Sequence, residues 1–77
     1  MKDSVPLCDM APGERATVSC LLTEGSMRRR FLDMGLMEGT EVECVGRSPW
    51  GDPSAYRFCG AVVALRANDS RSILVER

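Results

Sequence analysis

Apolar and polar residues alternate with a period of two along most of this chain, and short turn segments cut the alternation into pieces. In residues 15–24, Val18, Cys20 and Leu22 fall on one face and Thr17 and Ser19 on the other, the pattern of a half-buried strand. Val42 and Cys44 alternate with Glu41 and Glu43 in residues 40–47, and Tyr56 and Phe58 alternate with Ala55 and Arg57. Residues 61–66 are too uniformly apolar to show a period, which predicts a strand covered on both faces. Residues 71–76 end the chain as a strand rich in Ile, Leu and Val.

The turns between these runs have identifiable chemistry. Ala11-Pro12-Gly13-Glu14 suits a type II turn, because proline presets φ at the second position and glycine accepts the positive φ at the third. Met37-Glu38-Gly39-Thr40 repeats that form without the proline. Ser48-Pro49-Trp50-Gly51 suits a type I turn, and Asp52-Pro53 prolongs the loop by holding residue 52 extended. Asn68-Asp69-Ser70 predicts one more short connection. A single segment departs from the strand pattern. From Ser26 as N-cap, Met27, Phe31 and Met34 recur at i, i+4 and i+7, and Gly35 follows as a left-handed stop. This predicts one helix over residues 26–34, with Arg29 and Asp33 spaced to pair along it. Short strands, tight turns and one helical insertion predict a mainly β fold, a small barrel.

Length sharpens the picture. The 77 residues form one domain, residues 1–77, and a chain this short buries only about 60% of its unfolded surface. Ten basic and eleven acidic residues leave a net charge of −1 with the signs mixed along the chain. Nucleic-acid binders carry a basic surplus because phosphate neutralisation supplies most of their affinity, so no nucleic-acid partner is expected. No apolar run approaches the ~20 residues of a membrane-spanning helix. The start, Met1-Lys2-Asp3-Ser4-Val5-Pro6, lacks the apolar core of a secretory signal, so the expected location is the cytoplasm.

Candidate chemistry is sparse. Histidine is absent, which removes the commonest metal ligand and the commonest general base. No nucleophile–base pair can be named, so the chain is not expected to be an enzyme or to need a cofactor. The cysteines at 8, 20, 44 and 59 form no Cys-x-x-Cys pair and read as small hydrophobes of a reduced protein. Glu41 and Glu43 share a strand face, but no spacing brings a third hard ligand to them, and no metal site is expected.

The string Met27-Arg28-Arg29-Arg30-Phe31-Leu32-Asp33-Met34-Gly35-Leu36-Met37-Glu38-Gly39-Thr40 resembles the central signature of the FeoA family. There a helix with an Arg-Arg-Leu core leads into Asp-hydrophobic-Gly-Leu and then Pro-Gly-Thr. Leu7 with Ala11-Pro12-Gly13-Glu14 is similar to the family's opening, Pro49-x-Gly51-Asp52-Pro53 to its mid-chain loop, Gly60 to Leu65-Arg66 to its penultimate strand, and Ile73-Val75 to its last. The match runs in order over nearly the whole chain. It departs at Glu38, where proline is usual, at the bulky Trp50, and in the four cysteines. The resemblance implies an SH3-like barrel with a helical insertion. It also implies an accessory or regulatory role in ferrous iron uptake, through protein–protein contact with the cytoplasmic side of a FeoB-type membrane transporter. The same fold occurs in metal-responsive repressors, but the helix-turn-helix they carry is absent. A metal-binding chaperone and a metalloregulator-type module are the alternative readings.

Six residues are the candidates for partner contact. Successive helix positions point about 100° apart, so the three arginines cannot cluster, and Arg28 and Arg29 are the pair offered to an acidic partner surface. Met34, Leu36 and Met37 close the helix and enter the turn with adaptable apolar side chains, and Leu36 and Met37 are divided between core and interface. Trp50 at the tip of a Pro-x-Gly loop has the character of an interface anchor.

Overall fold

The computed structural model describes residues 4–77, so Met1–Asp3 of the expected signal-free start lie outside the described residues. The strands are β1 (Ser4–Pro6), β2 (Arg15–Leu21), β3 (Glu41–Arg47), β4 (Ser54–Phe58), β5 (Ala61–Leu65) and β6 (Ile73–Glu76). Helix α1 (Gly25–Asp33) is inserted between β2 and β3, and the one-turn helix α2 (Ala67–Ser70) joins β5 to β6. All the strands belong to one antiparallel sheet in the order β1-β6-β2-β3-β4-β5.

The sheet curls around a core drawn from β2 to β6, α1 and the segment after β1. Val18 of β2, Val42 and Cys44 of β3, Tyr56 and Phe58 of β4, Leu65 of β5, and Ile73 and Val75 of β6 meet inside it. Phe31 of α1 closes one opening, and Leu7 and Met10, just after β1, close another. Each such aliphatic or aromatic side chain contributes about 1.5–3 kcal/mol by leaving water.

Two of the expected turns form as read. The Glu14 N–H reaches the Ala11 carbonyl at 3.0 Å around Gly13, and the Thr40 N–H reaches Met37 at 3.0 Å around Gly39. Both glycines have φ near +90°, which only glycine adopts without strain.

Three expectations need correction. Leu22 is 59% exposed and Leu21 is buried, because a bulge between Val18 and Cys20 shifts the register against β6 and reverses which residues face inward. Strand β5 is not covered on both faces: it is the end of the sheet, paired only to β4, with Ala61, Val62 and Ala64 exposed. The N-cap of α1 is Glu24 rather than Ser26, and its side chain makes no capping bond. The short connection expected at Asn68-Asp69-Ser70 is present, wound into the one-turn helix α2, whose buried Ser70 donates from Oγ to the Arg66 carbonyl at 3.2 Å.

Candidate functional site

The β3–β4 loop is fixed by its own hydrogen bonds. The Gly51 N–H donates to the Ser48 carbonyl at 2.8 Å, the Ser48 N–H donates to the Pro53 carbonyl at 3.1 Å, and Ser48 Oγ donates to the Asp52 carbonyl at 2.8 Å. Asp52 then ties the loop to a distant part of the chain. Its Oδ1 accepts the Ala67 N–H at 2.8 Å and its Oδ2 lies 3.9 Å from Arg66 Nη1. On this anchored loop Trp50 stands 89% exposed. The ring does not fold back on the barrel. A tryptophan buries about 200 Å² when covered, so a partner could draw about 5 kcal/mol of gross burial energy from this one side chain.

The turn after α1 sorts its residues by direction. Gly35 has φ +93°, and an added Cβ there would sit 2.8 Å from Cys59 Sγ. Cys59 Sγ and Thr40 Oγ1 both donate to the Gly35 carbonyl, at 3.6 and 2.9 Å, which pins the end of α1 to the β4–β5 turn and to the start of β3. Beyond it the Leu36 N–H donates to the Phe31 carbonyl at 2.9 Å, and the Leu36 side chain is driven inward to 0% exposure. Met37 points outward and is 47% exposed. The division left open between core and interface is thereby resolved: Leu36 is core and leaves the set of contact candidates, whereas Met37 remains on the surface.

On α1 the arginines also separate. Arg28 Nη1 donates to the Leu21 carbonyl at 3.1 Å, so Arg28 braces the end of β2 while its side chain stays exposed. Arg29 is exposed, and the expected Arg29–Asp33 pair is absent from the ion pairs of the described residues. Met34 is half-buried against the core and lines a groove between α1 and β5 with Met27, Phe31, Val63 and Leu65. Arg30, Arg66 and Asp69 stand around that groove.

Among the described residues no three His, Cys, Asp or Glu side chains converge. Glu43 lies 3.8 Å from Arg15 and 3.5 Å from Arg57, so two guanidinium groups face it. The cysteines are all unbridged. Burial, followed by the neighbouring Asp9 charge, pushes the Cys8 thiol up, away from the thiolate a soft metal requires. Sequence reasoning missed the Asp52–Arg66 link and the Cys59–Gly35 contact, since both join residues remote in sequence. It also missed Leu32, whose side chain is exposed on α1 beside Arg28 and Arg29.

Comparison with known proteins agrees with this architecture. The FeoA domain family matches residues 5–77. A Porphyromonas gingivalis Fe(2+) transport protein A/Fe(2+) transporter FeoB fusion protein is 33% identical over 70 residues, which is 91% of this chain but 8% of that protein. The chain therefore spans a small fraction of the curated relative it matches. A FeoA-like protein from Clostridium acetobutylicum, solved by NMR, is 34% identical, with a TM-score of 0.89 over 99% of this chain and 88% of the other. Stenotrophomonas maltophilia FeoA, crystallised with zinc and described as a prokaryotic SH3 domain protein, superposes with a TM-score of 0.82 at 23% identity over 92% of this chain and 88% of that one. The last likeness is one of fold, and with it the expected SH3-like barrel with a helical insertion is borne out.

Proposed function

The chain belongs to the FeoA family, and from that premise we propose that it serves ferrous iron uptake as a non-catalytic accessory, by contact with the cytoplasmic side of a FeoB-type transporter. One observation carries the reading. In the P. gingivalis relative, a segment similar to nearly all of this chain and an Fe(2+) transporter FeoB form a single polypeptide. Fusion of two functions in one chain is the expected outcome when the separate proteins work in contact. No helix among the described residues is long and apolar enough to cross a membrane, so in this reading the membrane is reached through the partner.

The contact surface in this reading comprises Trp50, Met37 and Arg29, with Met34 at the groove. Trp50 supplies the anchor, Met37 an adaptable apolar neighbour, and Arg29 a charge for an acidic partner patch. A surface of this size supports moderate rather than tight affinity. The test is ferrous iron uptake and pull-down of the transporter with Trp50→Asp and Met37→Asp. Both variants should fold, and each should lose capture and impair uptake. Normal uptake by both variants removes this surface from the reading, and failure of unmodified protein to capture the full-length transporter removes the partner.

A further inference from the structure

An edge strand exposes a row of unsatisfied backbone donors and acceptors, and folded proteins normally guard it with lysine, proline, a bulge or a covering element. Strand β5 has no lysine, proline or bulge, and α1 flanks it only across a groove. Its five residues, Ala61-Val62-Val63-Ala64-Leu65, carry no charge and no proline. They pair with β4 in unbroken register, without a bulge. Among the described residues no other strand or loop bonds to its outer edge. Val62, at 55% exposure, and Ala64 are exposed, Val63 and Leu65 turn toward the core, and Val63, Ala64 and Leu65 all line the α1 groove. The far wall of that groove is apolar: Met27, Phe31 and Met34.

We infer that β5 is a pairing edge for a second copy of this chain, the two β5 strands joining antiparallel about a two-fold axis through Val63. The argument for a second copy is self-complementarity. An isologous contact sets each residue opposite a residue of its own surface, so any charge on the strand risks meeting a like charge. In this register Ala61 lies opposite Leu65 of the partner subunit, Val62 opposite the partner's Ala64, and Val63 opposite the partner's Val63. No charged residue falls within the paired segment. Just beyond it, the bulky Arg66 meets the partner's Gly60, which has no side chain to obstruct it. Small faces large at the outer positions, and the two sheets continue into one. The anchors of the proposed transporter contact, Trp50, Met37 and Arg29, lie outside β5, although Ala64 lines the groove that Met34 shares.

The register makes the test specific. The full-length protein is followed by sedimentation equilibrium from about 10 µM to about 1 mM, the range suited to a weak contact of limited area. The unmodified chain should show a concentration-dependent monomer–dimer equilibrium. V62K/A64K places lysine opposite lysine twice, and its dissociation constant should rise about tenfold or more. V62K/A64E carries as many new charges but places lysine opposite glutamate twice, and it should dimerise at least as well as the unmodified chain. Both substituted positions are exposed, and circular dichroism checks that each variant folds. A monomer at every concentration overturns the inference and leaves this edge to a strand from another protein. A dimer that both variants keep, or that both lose equally, overturns it as well, because the contact then lies elsewhere or in another register.

Discussion

Leu36 and Trp50 make the sharpest contrast in the molecule, and truncating each to alanine separates core from surface. Leu36 is 0% exposed and packs in the same cluster as Phe31 and Phe58, while Trp50 is 89% exposed on a loop held by its own backbone bonds. Deleting a fully buried leucine side chain removes its transfer energy and leaves a void, which together cost about 2–5 kcal/mol. At roughly 0.05–0.15 kcal/mol per residue, a domain of 77 residues has about 4–12 kcal/mol of total stability. L36A at about 3 kcal/mol therefore removes a quarter or more of it. With an unfolding entropy of roughly 2 cal/mol/K per residue, that loss lowers Tm by about 20 °C. W50A should change stability by no more than about 0.5 kcal/mol, as surface substitutions do. Urea and thermal unfolding followed by circular dichroism measure both. If L36A stays within about 0.5 kcal/mol of the unmodified chain, or W50A loses several, the inward and outward assignments of these two residues are wrong.

Two further outcomes follow from the hydrogen bonds. R28A should lose about 1–2 kcal/mol of stability because it orphans the Leu21 carbonyl, whereas R29A should leave unfolding unchanged and weaken capture of an acidic partner; denaturant midpoints and binding assays distinguish them. The Glu14 carboxylate accepts the Ala11 N–H at 2.6 Å and pairs with Arg77 at 3.1 Å, and these contacts, the backbone bond first, hold its pKa below the ordinary 4.5. A lowered folded pKa gives stability that is present above the unfolded value and lost as pH falls through the folded one. E14Q should therefore flatten the acid side of the stability profile below about pH 4.5 and leave its shape near neutrality unchanged, as unfolding midpoints measured across that range will show.

Where a residue's partners were local, the sequence was a sound guide. The Gly13 and Gly39 turns, the strands around Val42–Cys44 and Tyr56–Phe58, and the Met27/Phe31/Met34 face of α1 all depend on neighbours within a few positions, and all stand where the pattern placed them. Leu22 failed for a physical reason: one inserted residue in β2 exchanges the inward and outward faces, and the bulge is fixed by pairing with β6, more than fifty residues away. Strand β5 failed because an apolar run looks alike at the centre and at the end of a sheet, and only strand order tells them apart. Of the six contact candidates, Trp50, Met37 and Arg29 are exposed as a docking surface demands, Arg28 is exposed but also bonds to the Leu21 carbonyl, Met34 is half-buried at the groove, and Leu36 is core. Polarity and position cannot separate Arg28 from Arg29, because the difference is a carbonyl seven residues back in β2.

The two proposed surfaces share a mechanical logic. The Trp50 loop is closed by its own bonds and moored to the β5–α2 junction through Asp52, and β5 is held straight by its full register with β4. Neither needs ordering before it binds, so little of the contact energy is lost to conformational entropy. Using both also has a consequence. Pairing through β5 would carry two Trp50 loops on one particle. A second contact to a transporter assembly then becomes intramolecular, and two weak anchors can act together where one would dissociate quickly. A domain too small to build a strong single interface can in this way gain strength by repeating a modest one.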